Sequence, residues 1–154
     1  MFKILRHTQA AGHSCHAVTL RHNFQQISEK SGFMKNNGGL LFRKISKKEY
    51  QFKTKITKKQ LNKAGITHGG YIASIIDVGG GSGAHRVSDN KVCVTISLDI
   101  KFIDSTKLGD EIIGNVIIQK VTKSLVFLIC KLECNKKIIA TASGIWKKVN
   151  KKLI

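Results

Sequence analysis

Residues 62–77, which read N-K-A-G-I-T-H-G-G-Y-I-A-S-I-I-D, constrain the fold more than any other part of the chain. The polar first half ends at His68, Gly69 and Gly70, and an apolar run follows. That run contains Ile72, Ala73, Ile75, Ile76 and Val78. Apolar residues set this closely predict a helix that is buried on most of its sides rather than along one stripe.

Asp77 stands alone within this apolar run. Moving a carboxylate out of water costs several kcal/mol unless it is paired, hydrogen-bonded or protonated. The sequence therefore predicts that Asp77 is buried, and that it is either a structural hydrogen-bonding group or a working acid or base.

Alternation of apolar and polar residues predicts six strands around this helix. Residues 40–45 and 50–56 precede the helix and follow a turn at 36–39. The four later strands are predicted at 92–102, 111–122, 125–134 and 137–149, and the first of them alternates most strictly. The predicted fold class is α+β, with a long antiparallel β-sheet wrapped around one central α-helix.

Four glycines, Gly79, Gly80, Gly81 and Gly83, occupy the far end of the predicted helix. Each glycine inside a helix costs about 0.5–1 kcal/mol relative to alanine. Either these small residues let the helix approach a strand or a symmetry mate closely, or the helix ends early. A phosphate-binding loop is not predicted, because no G-K-[ST] follows.

The 154 residues suffice for one domain with a hydrophobic core. The net charge is +18, from 27 Lys and Arg against 9 Asp and Glu. Such a charge suits nucleic acid, a membrane surface or an anionic small molecule, and it can equally reflect a Lys-rich composition without a function. Few lysines form a stripe with interleaved aromatics, so no specific nucleic-acid site is predicted.

Residues 1–28 are predicted to be an N-terminal tail or leader, and the folded domain is predicted at 29–150. The first 28 residues contain no acidic residue, as in some transit peptides. We expect a cytoplasmic protein, with mitochondrial targeting by this leader as the alternative. A short helix is predicted after an N-cap at Asn23, running through Phe24 and Ile27 to Ser28.

No metal site, disulfide or membrane span is predicted. The N-terminal residues His13, Cys15, His16 and His22 fit the spacing of no known closed metal site. None of the four cysteines has C-x-x-C spacing, which indicates reduced thiols. The longest fully apolar run covers only residues 125–130, whereas a transmembrane helix needs about 20.

The pattern N-(x)2-G-(x)2-H-G-G-(x)6-D in the central segment resembles the hotdog-fold acyl-coenzyme A thioesterases of the PaaI-like type. The chain supplies it as Asn62, Gly65, His68, Gly69, Gly70 and Asp77. The resemblance continues in V-T-I-S-L-D-I-K-F-I at 94–103, K-L-G-D at 107–110 and A-T-A-S-G at 140–144. It implies a hotdog fold, hydrolysis of acyl-coenzyme A to free acid and coenzyme A, no cofactor, and a homodimer or homotetramer.

The resemblance also implies roles for individual residues. The Gly69 N–H would bind the thioester oxygen at the helix N-terminus, where unpartnered amides and the helix dipole favour negative charge. Gly70 would bind substrate beside it. Asp77 would act either as a general base on water or as a nucleophile that forms a transient anhydride, and the sequence leaves both open.

Three more residues match the family pattern. Asn62 would orient the carbonyl or the attacking water, and His68 would either hydrogen-bond the substrate or tie down its own loop. Thr95 occupies the place of a hydroxyl residue, usually serine, near the water. The alternative for Thr95 is an ordinary strand threonine.

The spacing of Gly69 and Asp77 predicts that the site is shared between two chains. Eight residues along a helix correspond to about 12 Å, so one carbonyl cannot touch both groups on the same helix. In a twofold dimer with antiparallel helices, Gly69 of one chain would face Asp77 of the other. Two other functions stay open: a non-catalytic hotdog protein that binds or senses acyl-coenzyme A, and nucleic-acid binding driven by charge alone.

Overall fold

The computed structural model describes residues 23–27 and 32–149. The strands of this part of the chain are β1 Gln25–Gln26, β2 Leu41–Lys44, β3 Glu49–Lys55, β4 Val92–Phe102, β5 Glu111–Val121, β6 Leu125–Cys134 and β7 Lys137–Val149. The helices are α1 Phe33–Asn36 and α2 Gly69–Arg86, with a 3-10 turn at Lys58–Gln60. The seven strands form one sheet in the order β1-β2-β3-β5-β6-β7-β4, and every neighbouring pair is antiparallel.

The predicted fold class is confirmed, since one long antiparallel sheet packs against one long central helix. All six predicted strands are present with ends within two residues of those predicted. The prediction of a helix after Asn23 is wrong, because Gln25 and Gln26 are extended and pair with β2. This stretch has no apolar repeat of helical period that could hold a helix against the core. Ser28, residues 1–22 and residues 150–154 lie outside the described residues.

Alternate side chains of the strands build the core beneath α2. In β3, Tyr50, Phe52 and Thr54 are buried while Gln51 and Lys53 are only half-buried. The same alternation continues in β5 and β6, whose core-facing residues are Ile112, Gly114, Val116, Ile118, Val126, Leu128, Cys130 and Leu132. Alternation with a period of two is what a sheet with a single covered face requires.

α2 continues through its glycines to Arg86 and does not end early. Of the two interpretations, the one in which small residues let the helix approach a strand closely is therefore correct. The Phe52 ring lies between Gly79 of the helix and Gly114 of β5. A Cβ atom built on either glycine would lie 2.1 Å from a ring carbon, closer than any real contact. The packing of one aromatic ring against two glycines therefore offsets the cost of glycine within the helix.

Trp146 makes a second contact of the same kind. Its indole lies between Gly80 of α2 and Gly144 of its own strand, where added Cβ atoms would lie 2.8 and 2.5 Å from the ring. Trp146 is fully buried as a result. The two rings fix the distance and the rotation of α2 relative to the sheet, and with them the direction in which Asp77 points.

The prediction that α2 is buried on most sides is wrong for the single chain. The buried residues recur at intervals of four and form one face: Tyr71, Ile72, Ile75, Ile76, Gly79, Gly80, Gly83 and Ala84. Ala73, Ser74, Asp77 and Val78 on the other side are half-buried. The sheet covers only one face of the helix, and no second layer covers the opposite face within residues 23–27 and 32–149.

β4 is an edge strand and carries a bulge between Thr95 and Ser97. Before the bulge, Thr95 lies opposite Trp146 and therefore on the helix side of the sheet. After the bulge, Leu98 lies opposite Gly144 and also packs on the helix side. The extra residue, Ile96, is 54% exposed.

Within the described ranges, no helix is long and apolar enough to cross a membrane. The cytoplasmic location, the alternative of a mitochondrial leader and the domain limits at 28 and 150 stay predictions.

Candidate functional site

The loop that leads into α2 is fixed to the rest of the domain at two buried points. The Gln60 side chain donates from Nε2 to the Asn37 carbonyl at 2.7 Å, and the backbone carbonyl of Gln60 accepts from the His68 N–H at 2.8 Å. On the other side, the Thr67 N–H donates to the Thr106 carbonyl at 2.7 Å, and the Thr106 hydroxyl donates to that of Thr67. These bonds position the start of α2 before any ligand binds.

His68 is the N-cap of α2, and its ring accepts a hydrogen bond at Nδ1 from the Gly70 N–H at 2.9 Å. Side-chain capping satisfies one of the helix amides that have no partner inside the helix. Of the two roles considered for His68, the geometry corresponds to the loop role. A Cβ on Gly70 would lie 3.0 Å from His68 Nδ1, so glycine here lets the ring fold over the helix end.

Gly69 is the first residue of α2, and its N–H has no acceptor within the part of the chain that the structure describes. The adjacent Gly70 N–H is taken by His68. Gly69 is therefore the amide that stays available at this helix end, where the dipole adds roughly half a positive charge. Gly69 thus has a free amide at the helix N-terminus among the described residues, and its role as oxyanion donor stays a prediction. Gly70 contributes space rather than a free donor, and its contact with substrate also stays a prediction.

Asn62 organises the loop with its side chain. Its Oδ1 accepts from the N–H groups of Ala64 and Ile66 at 2.9 and 3.3 Å. Gly65 completes this turn with a positive φ of 75°, a conformation that favours glycine. The Asn62 oxygen is thus engaged, whereas its amide nitrogen donates to no described residue, and orientation of a substrate through that nitrogen stays a prediction.

Asp77 and Thr95 meet between α2 and β4. The Thr95 hydroxyl donates to Asp77 Oδ1 at 2.5 Å, across 18 residues of sequence. Asp77 is half-buried, so the prediction of a buried carboxylate is wrong for the described residues, none of which forms a second layer over this face of the helix. The Thr95 hydroxyl engages one carboxylate oxygen of Asp77, and the catalytic role of both residues stays a prediction.

The predicted residues thus form two groups within one chain. Asn62, His68, Gly69 and Gly70 lie at the start of α2, and Asp77 with Thr95 lies two helical turns further along. The eight-residue separation corresponds to about 12 Å.

Sequence reasoning missed two residues of this region. Gln60 anchors the loop. The T-x-x-Q spacing from Thr57 to Gln60 could have indicated this, because a glutamine at this spacing accepts a hydrogen bond with its side chain from the backbone N–H of the threonine. Phe102 is the second: a Cβ on Gly69 would lie 3.6 Å from its ring, which is 59% exposed. Nothing in the alternation of β4 distinguishes this phenylalanine from the core residues before it.

Tyr71 ties the first turn of α2 to the sheet. Its hydroxyl shares a hydrogen bond of 3.0 Å with the buried Thr54 hydroxyl of β3. Burial raises the pKa of Tyr71, and the bond to Thr54 opposes part of that rise. Among the described residues, no group of His, Cys, Asp and Glu is arranged to hold a metal ion.

A protein-family model described as the thioesterase superfamily matches residues 64–138. This match begins in the loop before α2 and contains Gly69, Asp77 and Thr95. Over these residues the chain is similar to the thioesterase superfamily.

A relative agrees with this similarity. A Pseudomonas aeruginosa protein provisionally named as an esterase is 24% identical over 124 residues, which cover 80% of this chain and 92% of that protein. The family match and this name together support a hydrolase.

Two solved structures show the hotdog fold of the superfamily. The E. coli PaaI protein from the phenylacetic acid degradation operon has a TM-score of 0.66 at 16% identity, over 75% of this chain and 83% of that one. A hypothetical thioesterase from Streptococcus pneumoniae, solved with coenzyme A, has a TM-score of 0.68 at 16% identity, over 75% and 89%.

Proposed function

We propose that the protein hydrolyses acyl-coenzyme A thioesters to a free acid and coenzyme A. The observation that carries the proposal is a carboxylate, Asp77, held by the Thr95 hydroxyl on the open side of a helix whose first amide, Gly69, has no acceptor among the described residues. The coenzyme A in the S. pneumoniae thioesterase structure supports the choice of thioester. No metal and no bound cofactor enter the proposal.

In the proposed reaction, the thioester oxygen accepts a hydrogen bond from the Gly69 N–H. Asp77 either removes a proton from a water that attacks the carbonyl carbon, or attacks that carbon itself to form an anhydride that water then hydrolyses. The negative charge that develops on the carbonyl oxygen is stabilised by the amide and by the helix dipole. The carbon–sulfur bond then breaks, and coenzyme A leaves as the thiol after protonation.

The two halves of the site would come from two copies of the chain. β4 is an edge strand whose outer side pairs with no strand that the structure describes, and it carries both Thr95 and Phe102, which lie beside Asp77 and Gly69 respectively. Antiparallel pairing of β4 with its own copy, about a twofold axis next to Leu98, would set Thr95 of one chain opposite Phe102 of the other. Asp77 and the partner's Gly69 would then face one carbonyl, and the half-buried side of α2 would be covered.

We also propose that two such dimers form a tetramer. The sheet face opposite α2 exposes apolar side chains, including Ile117 at 39% and Ile129 at 41%. These residues lie directly opposite each other on β5 and β6. A second dimer on this face would remove them from water, which is favourable in proportion to the apolar area covered.

The direct test is release of free thiol from a panel of acyl-coenzyme A substrates. Asp77→Asn keeps the size of the side chain but removes the base, and we expect a loss of about 10²–10⁴-fold in kcat. If the wild type releases no thiol but binds non-hydrolysable coenzyme A thioethers, the protein is an acyl-coenzyme A sensor. Equal activity of Asp77→Asn and wild type would contradict the role of Asp77.

Gly69 offers a matched pair of variants. Gly69→Pro removes the amide proton, and proline is well tolerated at the first position of a helix. The preceding His68 has φ −64° and ψ 131°, which is compatible with a following proline. We expect Gly69→Pro to lose about 10²–10³-fold in kcat. Gly69→Ala keeps the N–H, adds a methyl group at ordinary contact distance from Phe102, and is expected to lose far less.

Mixing the two inactive variants tests the shared site. A heterodimer of one Gly69→Pro chain and one Asp77→Asn chain would contain one intact site and one site with both defects. In an equal mixture that exchanges subunits, half of the dimers would be mixed, so about a quarter of wild-type activity should return. If each site belonged to one chain, mixing would restore nothing.

A further inference from the structure

The Phe102 side chain ends β4 beside the first residue of α2. Its Cε1 and Cζ atoms would lie 3.6 and 3.8 Å from a Cβ on Gly69, which is ordinary van der Waals contact. The ring is nevertheless 59% exposed, although phenylalanine is normally buried. A large aromatic ring held open to solvent at this distance from a free amide is available to a bound molecule.

Other exposed apolar residues lie next to Phe102 in the sequence or in the loops before α2, and we call Ile66, Ile103 and Leu108 the apolar rim. Ile103 follows Phe102 directly and is 56% exposed, while Leu108 and Ile66 are 51% and 38% exposed. Ile66 bridges to Lys107, so the two loops that carry Ile66 and Leu108 meet three residues before α2 begins. Single exposed apolar residues are common, but several of them near a candidate site suit a binding surface.

We propose that Phe102 determines acyl-group specificity, with its ring packing against the first carbons of an apolar acyl chain whose carbonyl is bound by Gly69. This inference rests on the proposed function and adds the class of acyl group. The coenzyme A arm beyond the sulfur carries two amides and charged phosphates, so an apolar rim suits the acyl side of the thioester.

The geometry of β4 supports the same placement. In the proposed dimer, Phe102 of one chain lies across from Thr95 and Asp77 of the other. The ring would then line the space between the oxygen-binding amide and the carboxylate, where the acyl group must pass. Phe102 is a positioning residue in this scheme, since it takes no part in bond making.

Binding of stable thioethers tests the inference without hydrolysis. Calorimetry would compare coenzyme A with its S-hexyl and S-benzyl thioethers on the wild-type protein and on Phe102→Ala. We expect the hexyl and benzyl groups to improve the Kd of the wild type about tenfold or more, and Phe102→Ala to remove most of that gain while leaving the Kd of coenzyme A unchanged. Phe102→Leu should keep part of the gain. Ile45→Ala is the control, because Ile45 is 45% exposed in the β2–β3 turn, at the end of the sheet where Tyr50 packs on Gly83, 14 residues along α2 from Gly69.

Three results would overturn the inference. The first is a wild type whose affinity does not change with the S-alkyl group. The second is an equal loss for coenzyme A and its thioethers in Phe102→Ala, which would place the ring on the coenzyme A arm. The third is a fall in sedimentation mass of Phe102→Ala, which would make the ring a subunit contact. Each of these is independent of thiol release, so the failure of the proposed hydrolysis would be recognised separately.

Discussion

At the residue scale, His68 has one function that the geometry defines and one that the family resemblance implies. Its Nδ1 caps the Gly70 N–H. We expect His68→Ala to lower the free energy of unfolding by about 1 kcal/mol, as for loss of other helix caps. Urea denaturation followed by circular dichroism would measure the change.

The control is His68→Asn, since asparagine also accepts at a helix N-terminus. If His68 only ties down the loop, His68→Asn should keep both stability and thiol release. Preserved stability with a large loss of kcat would instead indicate that the imidazole contacts the substrate.

Cys130 gives a second prediction at this scale. Its side chain is buried beneath α2, and burial raises the pKa of its thiol to about 12. Only the thiolate reacts with alkylating reagents, so Cys130 should resist iodoacetamide in the native protein. Mass spectrometry of partly labelled protein should find Cys93, which is half-buried, modified well before Cys130. Equal labelling in native protein would show that the core opens on the timescale of the reaction.

At the element scale, the position of α2 depends on two aromatic rings and four glycines. Gly79→Ala would place a methyl group 2.1 Å from the Phe52 ring. We expect it to destabilise the fold by about 2 kcal/mol or more, because the ring is also confined by Gly114. Thermal and urea unfolding would measure the loss, and Phe52→Leu in the same chain should recover part of it.

Gly81→Ala provides the matched control in the same helix. Its added methyl group would meet only the Trp146 indole, with Nε1 at 3.3 Å and Cδ1 at 3.8 Å. The gain in helix propensity, about 1 kcal/mol, should offset this tight contact, so the stability should change by less than about 1 kcal/mol. If both variants were equally destabilised, the ring–glycine contacts would not be what sets the helix position.

The sequence predicted the strands and α2 well, because hydrophobic period is a local property of each segment. It did not predict that β4 changes face. Strict alternation from Val92 to Phe102 sets Thr95 on the side opposite Leu98, whereas the bulge brings both to the helix side. A bulge depends on how a strand pairs with its neighbour, and the strand's own sequence carries no mark of it.

At the scale of the whole molecule, the edge of β4 gives a prediction about the dimer. With the twofold axis next to Leu98, the two Asp99 residues of a dimer would lie near each other on the outer face. Asp99→Cys should then form an intermolecular disulfide under mild oxidation, visible on a non-reducing gel. Loss of the exposed ion pair between Asp99 and Lys101 should cost little.

The wild type is the control for cross-linking, since its own β4 cysteine, Cys93, would lie far from its symmetry copy in this register. A dimer by ultracentrifugation that does not cross-link through position 99 would indicate a different interface.

The tetramer gives the last prediction. Four chains of 17.0 kDa would sediment at about 68 kDa. Ile129→Lys places a charge on the outer face of the sheet and should reduce the particle to about 34 kDa, because burying an unpaired charge is unfavourable. Thiol release should persist if the site is complete within one dimer. A variant that stays at the larger mass would place the second interface elsewhere.

The bulge in β4 makes one position of the strand dispensable for its pairing. Thr95 already pairs with Trp146 and Ser97 with Ile145, so deleting Ile96 would leave a regular strand whose residues keep their partners on β7 on both sides of the gap. Thr95 would still point toward the helix and Asp77. Such a chain should therefore keep its fold and its thiol release, and a loss of activity on deletion would show that the extra residue is itself needed.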